Sequence, residues 1–393
     1  MQGKYILQNL RFGVALVVCI GLWTGCSAPK SDLEADCSMD FEYLMPEWSE
    51  GFRWKVLPGE NGESRMACLE IFDVAFELIE SSVYRDSISY RMDPCPQGNS
   101  VILKNNGLGL ATLSTTHVSL IEAWDQSLEH WAGGAFVDYL QSEVALNRLA
   151  NRESVSYGGN PEWDMEMLIS YPHNALCIYP FGNPLNDATW SNDIPVVPVL
   201  EYLEPHPLGR AEWMRAVGWL VDDVAWEKSS AVFSQISQRY EKIRLRSTDV
   251  SKMRVFTGSV EQGEWHAPGG GSFIARLLKD AGATYVFENH VGSENVRIPL
   301  EEMIAIGSGC DAWGLVLTDV RDTLSVRDIL LMEERNRLLI PDSRRVFVAN
   351  ASQCDYFGWW VARPDAMLEN LENLFSGHES SMDFEPCFKW LSE

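Results

Sequence analysis

Residues 206–243 read HPLGRAEWMRAVGWLVDDVAWEKSSAVFSQISQRYEKI and form the longest helix-compatible segment of the chain. The second part of this segment places Phe233, Ile236 and Tyr240 at helical spacing, which gives one apolar stripe. Because neither Gly nor Pro occurs in residues 221–243, that part could extend for roughly 35 Å at about 1.5 Å per residue. We therefore expect a stiff helix at mid-chain that acts as the spine of the molecule.

Short apolar strands alternate with helix-compatible segments on both sides of the spine. This alternation predicts an α/β fold with two lobes joined by a single long helix. A helix that joins two lobes limits hinge bending, so we expect a largely preformed cleft between them. The clearest predicted strands are residues 175–181 and 194–199 before the spine, and residues 253–258, 312–318 and 345–349 after it.

The order of these patterns divides the chain into six parts. After the N-terminus comes a polar, acidic stretch, and then short β-branched runs separated by Gly, Asn and Pro that indicate a small antiparallel preface. The predicted parts are a lipoprotein signal peptide (1–25), a tether (26–50), an N-terminal β preface (51–105), an N-terminal α/β lobe (106–220), a linking helix (221–249) and a C-terminal α/β lobe (250–393).

The N-terminus has the pattern of an export signal. Lys4 and Arg11 precede the apolar residues 14–23, and Thr-Gly lead to Cys26, which we expect to carry a lipid. The alternative is a transmembrane helix, but the apolar core is nearer about 12 residues than the roughly 20 that spanning needs. Trp23 departs from the small aliphatic residue usual in such signals. We expect a cell-envelope protein on the periplasmic side, attached to a membrane through this lipid alone.

The charge and the cysteines limit the possible partners. Removal of residues 1–25 takes away two basic residues and no acid, so the net charge of −25 becomes −27, which argues against nucleic acid. Of nine cysteines, Cys19 lies in the signal and Cys26 is the predicted lipid site, so seven remain and at least one stays a thiol. Cys177, within an apolar run, is expected to be a buried free thiol. No CxxC occurs, and we expect no structural metal.

Several motifs in the same order resemble the substrate-binding lipoproteins of ABC importers for iron-siderophore, haem and cobalamin ligands, the helical-backbone periplasmic binding proteins. The resemblance covers roughly residues 52–375. It implies two lobes joined by one helix, a metal chelate held in the cleft as ligand, no cofactor, and delivery to a permease and ATPase by a monomer. The motifs are ATLSTTHVSLIEAW (111–124), PLGRAEW (207–213), EWHAPGGGSFIARLLKDAGA (264–283), residues 300–315 with Cys310 and Asp311 where Ala-Asp is usual, and ARPDAMLENLENLF (362–375).

The same resemblance implies one acidic residue on each lobe that docks on the permease. Glu301 matches the second-lobe position. The first-lobe position falls on Met165, with Glu162 and Glu166 beside it, and we assign Glu166 to docking. The alternative is that these acids form solvated helix faces.

The candidate ligand contacts lie in loops after predicted strands or in the aromatic loop near the C-terminus, where ligand groups usually sit. Aromatic rings offer flat faces for a macrocycle or catecholate, and an arginine can pair with an anionic oxygen. The alternatives are core packing for the tryptophans, a helix-face ion pair for the arginine, and hydrogen-bonded loop histidines in place of iron ligands. The candidates are His117, Tyr157, Phe181, Glu204, His206, Arg210, Trp265, Tyr356, Trp359 and Trp360.

Two other classes of function stay open at this stage. An envelope hydrolase could use Ser114 or Ser272 with His117, although GxSxG is absent. Ser114 and Ser272 are also expected to cap helices. A glycan-binding surface lipoprotein would use the same aromatic rings to stack on sugars. We expect a non-catalytic receptor for a bulky iron chelate, with cobalamin or haem as alternative ligands.

Overall fold

The protein is described here by a computed structural model. The described residues are 41–58, 64–73, 78–104, 108–159, 162–180, 194–247, 253–318, 324–340, 345–377 and 385–392. The proposed lipid site Cys26 and the candidate ligand contact Phe181 lie outside these ranges. All described residues belong to one compact unit, Met39–Glu393.

The first sheet forms the N-terminal preface. Its strands follow the order β1-β2-β3-β4-β5, antiparallel except for the parallel pair β4 and β5. Trp54, Leu69 and Val83 are fully buried in its core. β1 lies within the stretch predicted as a tether, so the end of that stretch is part of the folded body. The elements are β1 Glu42–Leu44, β2 Phe52–Pro58, β3 Ser64–Asp73, β4 Leu78–Tyr84, α1 Ser87–Met92 and β5 Asn99–Ile102.

The first lobe is built on a parallel sheet in the order β12-β11-β6-β7-β8, as the alternation of strands and helices predicts. A short antiparallel pair, β9 and β10, lies between this sheet's strands in sequence. The elements are β6 Leu110–Thr112, α2 Thr115–Glu122, β7 Trp131–Gly134, α3 Glu143–Ala150, β8 Val155–Ser156, β9 Gly158–Gly159, β10 Glu162–Trp163, α4 Met165–Ser170, β11 Leu176–Ile178 and β12 Val196–Pro198.

The spine segment forms two helices, α5 Pro207–Val221 and α6 Asp223–Ser247, in place of one continuous rod. The break falls at Asp222, whose backbone is extended (φ −167°, ψ −176°). Its carboxylate accepts the Ala225 amide at 2.7 Å and so caps the second helix, which explains the stop. α6, with 25 residues, is the predicted linking helix.

A glycine allows α5 and α6 to pack closely. A Cβ atom on Gly218 would overlap Ser229 Oγ and would lie 2.8 Å from the Ala225 carbonyl oxygen. Arg215 Nε also donates to Ser230 Oγ at 3.3 Å. The first half of the spine is therefore a buried support for the linking helix.

The second lobe has a sheet in the order β16-β13-β18-β19-β20, parallel except for the last pair. An antiparallel sheet, β14-β15-β17, accompanies it. The elements are β13 Arg254–Thr257, β14 Ser259–Glu261, β15 Glu264–Ala267, α7 Phe273–Asp280, β16 Thr284–Tyr285, β17 Val296–Pro299, α8 Leu300–Gly307, β18 Ala312–Leu317, α9 Val326–Met332, β19 Arg345–Asn350, α10 Trp359–Ala362, α11 Pro364–Ser376 and β20 Phe388–Trp390.

Ion pairs fix the linking helix to the second lobe. Arg239 of α6 pairs with Asp365 at 3.2 Å and with Glu369, both on α11. Arg246, in the last turn of α6, pairs with Glu372 at 2.7 Å. Because several charges form one network, these contacts resist sliding of the two helices better than isolated surface pairs would. The linking helix is thus rigidly attached at its C-terminal half.

The described cysteines include both disulfide-bonded residues and free thiols, and the odd count in the sequence predicts at least one free thiol. Cys354 and Cys387 form a disulfide, and Cys95 is also disulfide-bonded. Cys177 is free and fully buried, as predicted, and burial raises the pKa of its thiol to about 12. Across the described ranges, none of the helices combines the length and the apolar character that crossing a membrane requires.

Candidate functional site: the interlobe cleft

A cleft of about 1010 Å³ lies where strands of both parallel sheets end. Its walls come from the residues that directly follow β6, β7 and β11 in the first lobe, and β18 and β19 in the second. Ligands of open α/β sheets bind outside the carboxyl ends of the strands, so this is the position that the fold favours. The lining residues are Leu113, Ser114, Thr115, Phe136, Asp138, Tyr139, Leu140, Gln141, Tyr179, Thr318, Ala351, Ser352, Asp355 and Phe357.

Hydrogen bonds across the cleft hold the two lobes together. Gln141 Nε2 in the first lobe donates to the Ala351 carbonyl oxygen at 2.6 Å in the second lobe. Thr116 Oγ1 donates to the Phe357 carbonyl oxygen at 2.7 Å. These bonds, with the fixed linking helix, indicate a cleft that is largely preformed.

The first wall contains an aromatic side chain in an uncommon backbone conformation. Phe136 has φ 55° and ψ 34°, the left-handed region, which costs a residue with a Cβ atom about 1 kcal/mol or more. Gly159 lies against its ring, because a Cβ atom there would come within 2.9 Å of Phe136 Cδ1. Gly159 of β9 therefore makes room for the ring, and strain of this kind is typical of functional sites.

The second wall is a loop held in place from several sides. Asp355 accepts the Trp359 amide at 2.7 Å, at the first residue of α10. Burial raises the pKa of the Asp355 carboxyl group, and hydrogen bonds from Trp359, Gly358 and Ser119 oppose that rise. The disulfide at Cys354 ties the same loop to the segment before β20. The loop therefore presents its outward side chains from a fixed backbone.

Two aromatic rings stand out by their exposure. Tyr139 is 73% exposed and Phe357 is 52% exposed, and they are the most exposed aromatic side chains of the described residues. One belongs to each lobe, and both line the cleft. Exposed rings at a concave site are available to stack on a ligand, whereas the buried rings of the core are not.

A smaller pocket of about 270 Å³ adjoins the cleft and shares Gln141 and Asp355 with it. Trp359 and Trp360 line this pocket, with their ring centroids 5.1 Å apart in an edge-to-face arrangement. Trp359 is half-buried and Trp360 is 3% exposed. The structure thus places these two candidate residues beside the cleft but not in its lining.

Glu204 serves the N-terminal segment in this structure. Glu204 and Glu212, both fully buried, bind the backbone of residues 47–51 in what we call the amide clamp. Glu212 accepts the amides of residues 47, 48 and 49 at 2.9, 2.8 and 3.0 Å. Glu204 accepts the amides of residues 50 and 51 at 3.1 and 2.9 Å, Trp213 Nε1 at 3.0 Å, and Ser49 Oγ. Its carboxylate does not line the cleft.

His206 and Arg210 also lie in this supporting region. His206 Nδ1 accepts the Leu208 amide at 3.1 Å and caps α5, and its ring stacks on Trp48 at 4.4 Å. Burial lowers the pKa of His206 to about 4, so the ring is neutral at neutral pH. Arg210 donates to the Tyr202 and Glu204 carbonyl oxygens at 2.8 and 3.0 Å, and burial lowers its pKa. Neither side chain lines the cleft.

The remaining candidates are buried behind the cleft or away from it. His117 is fully buried with Nε2 3.4 Å from Glu201 Oε2, and its ring lies edge-on to the cleft residue Tyr179. Tyr157 is fully buried, and burial raises its pKa. Trp265 packs in the core against two other rings and donates to the Thr257 carbonyl oxygen at 3.1 Å. None of these three side chains lines the cleft.

Tyr356 also lies behind the cleft. It is 7% exposed, and burial raises its pKa to about 12, opposed by Arg210. Its ring contacts that of Phe357 edge-to-face, with centroids 5.0 Å apart. The buried ring of Tyr356 therefore supports the exposed ring of Phe357.

The two serines considered for a hydrolase both cap helices, as predicted. Ser114 accepts the Thr116 amide at 3.3 Å at the start of α2. Ser272 accepts the Ala275 amide at 3.3 Å and donates to the Gly269 carbonyl oxygen at 2.6 Å. No hydrogen bond between either serine and His117 is found in the described part of the chain. Neither Ser114 nor Ser272 is therefore arranged as an activated nucleophile.

Comparisons with known proteins agree with this architecture. No family model matches the chain. An uncharacterized lipoprotein of Methanocaldococcus jannaschii is 23% identical over 162 residues, which is 40% of this chain and 38% of that protein. The chain thus spans well under half of the length of this relative.

Solved structures are similar over most of the chain. A periplasmic binding protein of Veillonella parvula matches with a TM-score of 0.53 and 14% identity, over 69% of this chain and 92% of that one. A periplasmic haem-binding protein of Vibrio cholerae matches at 0.53 and 9% identity, over 68% and 99%. The chain has the periplasmic binding protein fold. One more member of this fold, a haem-binding protein of Pseudomonas aeruginosa, matches at 0.52 and 14% identity, over 72% and 98%.

This fold confirms the resemblance and the two-lobe architecture predicted from the motifs. Some residues that line the cleft were not among the candidates from the sequence. Tyr139, Gln141 and Phe357 follow strand ends, and this position is the signal that could have found them. The loop of Tyr139 was missed because the strand before it reads WAGG, and glycine is depleted in strands.

Proposed function

We propose that this protein is the substrate-binding component of an ABC importer and captures a bulky metal chelate in the interlobe cleft. The observation that carries the proposal is one exposed ring from each lobe, Tyr139 and Phe357, in a cleft at the strand ends of both sheets. An iron-siderophore complex is our first choice of ligand. Cobalamin and haem, which are both macrocyclic metal complexes, are the alternatives.

The size of the cleft supports a large ligand. Its volume of about 1010 Å³ is at the top of the usual range for small-molecule sites, roughly 300–1,000 Å³. The hydroxyl groups of Ser114 and Thr115 line the cleft and can donate to a polar periphery. The donors of Gln141 and Ser352 are already used within the protein. No protein ligand to the metal is needed, because a chelator already saturates it. The described residues hold no group of three His, Cys, Asp or Glu side chains suited to a metal ion.

The remaining parts of the proposal concern the partners. Glu166 on α4 and Glu301 on α8 are exposed, one on each lobe, and we assign them to docking on the permease of a permease–ATPase complex. We further propose a monomer on the periplasmic side of the envelope, attached through a lipid on Cys26. The domain boundaries predicted from the sequence belong to the same proposal, except that β1 places the end of the predicted tether within the folded body.

Ligand titration of the purified chain tests this function. Isothermal calorimetry and tryptophan emission should detect one complex among ferric siderophores, haemin and cobalamin, with quenching from Trp359 and Trp360 beside the cleft. Replacement Tyr139→Ala should raise the Kd by about tenfold, because a stacked ring contributes roughly 0.5–1.5 kcal/mol beyond its buried area.

Leu331→Ala provides the matched control, because Leu331 on α9 is 75% exposed but lies outside the cleft lining. Its Kd should equal that of the unchanged chain. Binding of oligosaccharides with no binding of any chelate would favour a glycan-binding lipoprotein and reject the import proposal. Turnover of simple esters lost in Ser272→Ala would indicate a hydrolase.

A further inference from the structure

The described charged residues that line the cleft and the adjoining pocket are all acidic. Asp138 and Asp355 line it, and Glu122 and Glu385 line the adjoining pocket. No Lys, Arg or His occurs among the described residues that line either space. The carboxyl pKa of Glu122 is raised by burial and, to a smaller degree, by the charge of Asp355. The polar chemistry of the site is therefore acidic and neutral.

Two cations near the smaller pocket are already paired. Arg363 lies 5.6 Å from the Trp359 ring centroid, and it donates to Asp365 at 2.7 and 2.9 Å. Lys389 pairs with Glu385 of the smaller pocket. A guanidinium or ammonium group that is neutralised by its own carboxylate adds little attraction for a ligand anion.

These observations restrict the charge of the ligand. A polyanionic complex loses its hydration in a cleft and needs cations or several donors in return. A neutral complex avoids that cost, and a cationic one gains from Asp138, which is exposed and has no hydrogen bond or ion pair in the described structure.

We propose that the cleft selects neutral or cationic metal chelates, such as trihydroxamate complexes, and discriminates against polyanionic chelates such as tricatecholates and haemin. This inference rests on the proposed function, because it names the ligand class of the same site. It makes Asp138 the residue that sets the charge preference.

The test is a calorimetric comparison at low and high salt. The probes are ferrioxamine B (cationic), ferrichrome (neutral), ferric enterobactin and haemin (both anionic). We expect the cationic or neutral complex to bind at least about tenfold more tightly than the anionic ones at low salt. The preference for ferrioxamine B over ferrichrome should shrink at about 1 M salt, where the Debye length is about 3 Å.

Variants at one exposed position sharpen the test. Asp138→Asn should weaken ferrioxamine B by about two- to fivefold and leave ferrichrome unchanged, as expected for one exposed charge. Asp138→Lys should weaken it further and improve the anionic complexes. Glu129→Gln is the matched control, because this exposed acid precedes the amino end of β7, whereas Asp138 follows the carboxyl end of the same strand.

Each outcome decides a different claim. Anionic complexes that bind as tightly as the others, or identical affinities in Asp138→Asn and Glu129→Gln, would overturn the charge inference and leave the import proposal standing. Failure of all four probes and of cobalamin to bind would overturn the proposed function itself. Circular dichroism of each variant checks that the fold is unchanged.

Discussion

The amide clamp and the interlobe cleft both collect polar side chains next to chain turns, but they use them in opposite ways. In the clamp, Glu204 and Glu212 are fully buried, and their oxygens are occupied by amides of residues 47–51. In the cleft, Asp138 is exposed and makes no hydrogen bond or ion pair among the described residues. Residue type alone does not separate a supporting site from a binding site, whereas the free hydrogen-bonding capacity of the side chains does.

The same contrast holds for the aromatic side chains. Trp265 is fully buried and packs on Trp313 at 5.6 Å, whereas Tyr139 and Phe357 are largely exposed. A core ring contributes stability, and an exposed ring in a concave site contributes binding. Substitutions in the clamp should therefore change stability, and those in the cleft should mainly change affinity.

The largest effect is expected in the clamp. Glu204→Ala would leave several buried donors without an acceptor, at about 1–3 kcal/mol each, so we expect the unfolding free energy to fall by about 3 kcal/mol or more. Glu204→Gln keeps one acceptor oxygen, which serves Ser49, Gly51 and Trp213, and should cost about 1 kcal/mol.

Urea denaturation followed by circular dichroism measures both variants, with Glu129→Gln as the exposed control. Ligand affinity of the folded variants should be unchanged. Equal stability of Glu204→Ala and the control would show that the clamp is not needed for folding.

A pH-dependent effect of intermediate size is expected from His206. Burial lowers its pKa from 6.5 to about 4, so between these values the unfolded chain binds a proton that the folded chain does not. The contribution of His206 to stability is therefore present above about pH 6.5 and is lost as the pH falls toward about 4. His206→Asn keeps an acceptor for the Leu208 amide, a cap that contributes about 1 kcal/mol.

We expect the stability of His206→Asn to fall less steeply than that of the unchanged chain between pH 7 and pH 5. Denaturation series at both pH values give the comparison. Parallel losses in the two proteins would mean that His206 is not the group that titrates.

The smallest change in stability is expected in the cleft itself. Gln141→Ala removes the bond to Ala351 between the lobes and should cost about 1 kcal/mol or less, because the site is open to water. The affinity for ligand should fall at the same time, since the lobes lose a connection next to the site. The exposed Gln126→Ala is the control. A cost in stability as large as that of Glu204→Ala would remove the distinction between the two regions.

The sequence predicted the architecture better than the site. The strands that were predicted in the two lobes and the capping serines agree with the structure because periodicity and capping are local properties. The spine was predicted as one helix, but it is interrupted at Asp222, whose carboxylate caps the next helix. The spacing of apolar residues does not reveal such a cap.

Three candidate residues lie outside the cleft, and the strand β7 was not predicted, for reasons of tertiary packing. Glu204, His206 and Arg210 follow a predicted strand, but their side chains contact residues 47–51 and the Tyr202 carbonyl oxygen. Residues 47–51 are far away in the sequence, and no motif marks either contact. β7 escaped notice because Gly133 approaches Val155 so closely that a Cβ atom would overlap its carbonyl oxygen. Such close approaches depend on tertiary packing and leave no periodic pattern.

The amide clamp also sets a limit on how far the N-terminus can be shortened. A chain that began after Gly51 would keep Glu204 and Glu212 in a buried position but would lack the amides of residues 47–51 that bind them. The same deletion would remove Trp48 from the face of His206. Any soluble version made for binding measurements must therefore begin before Glu47, and residues of the supposed tether belong to the smallest stable form of this protein.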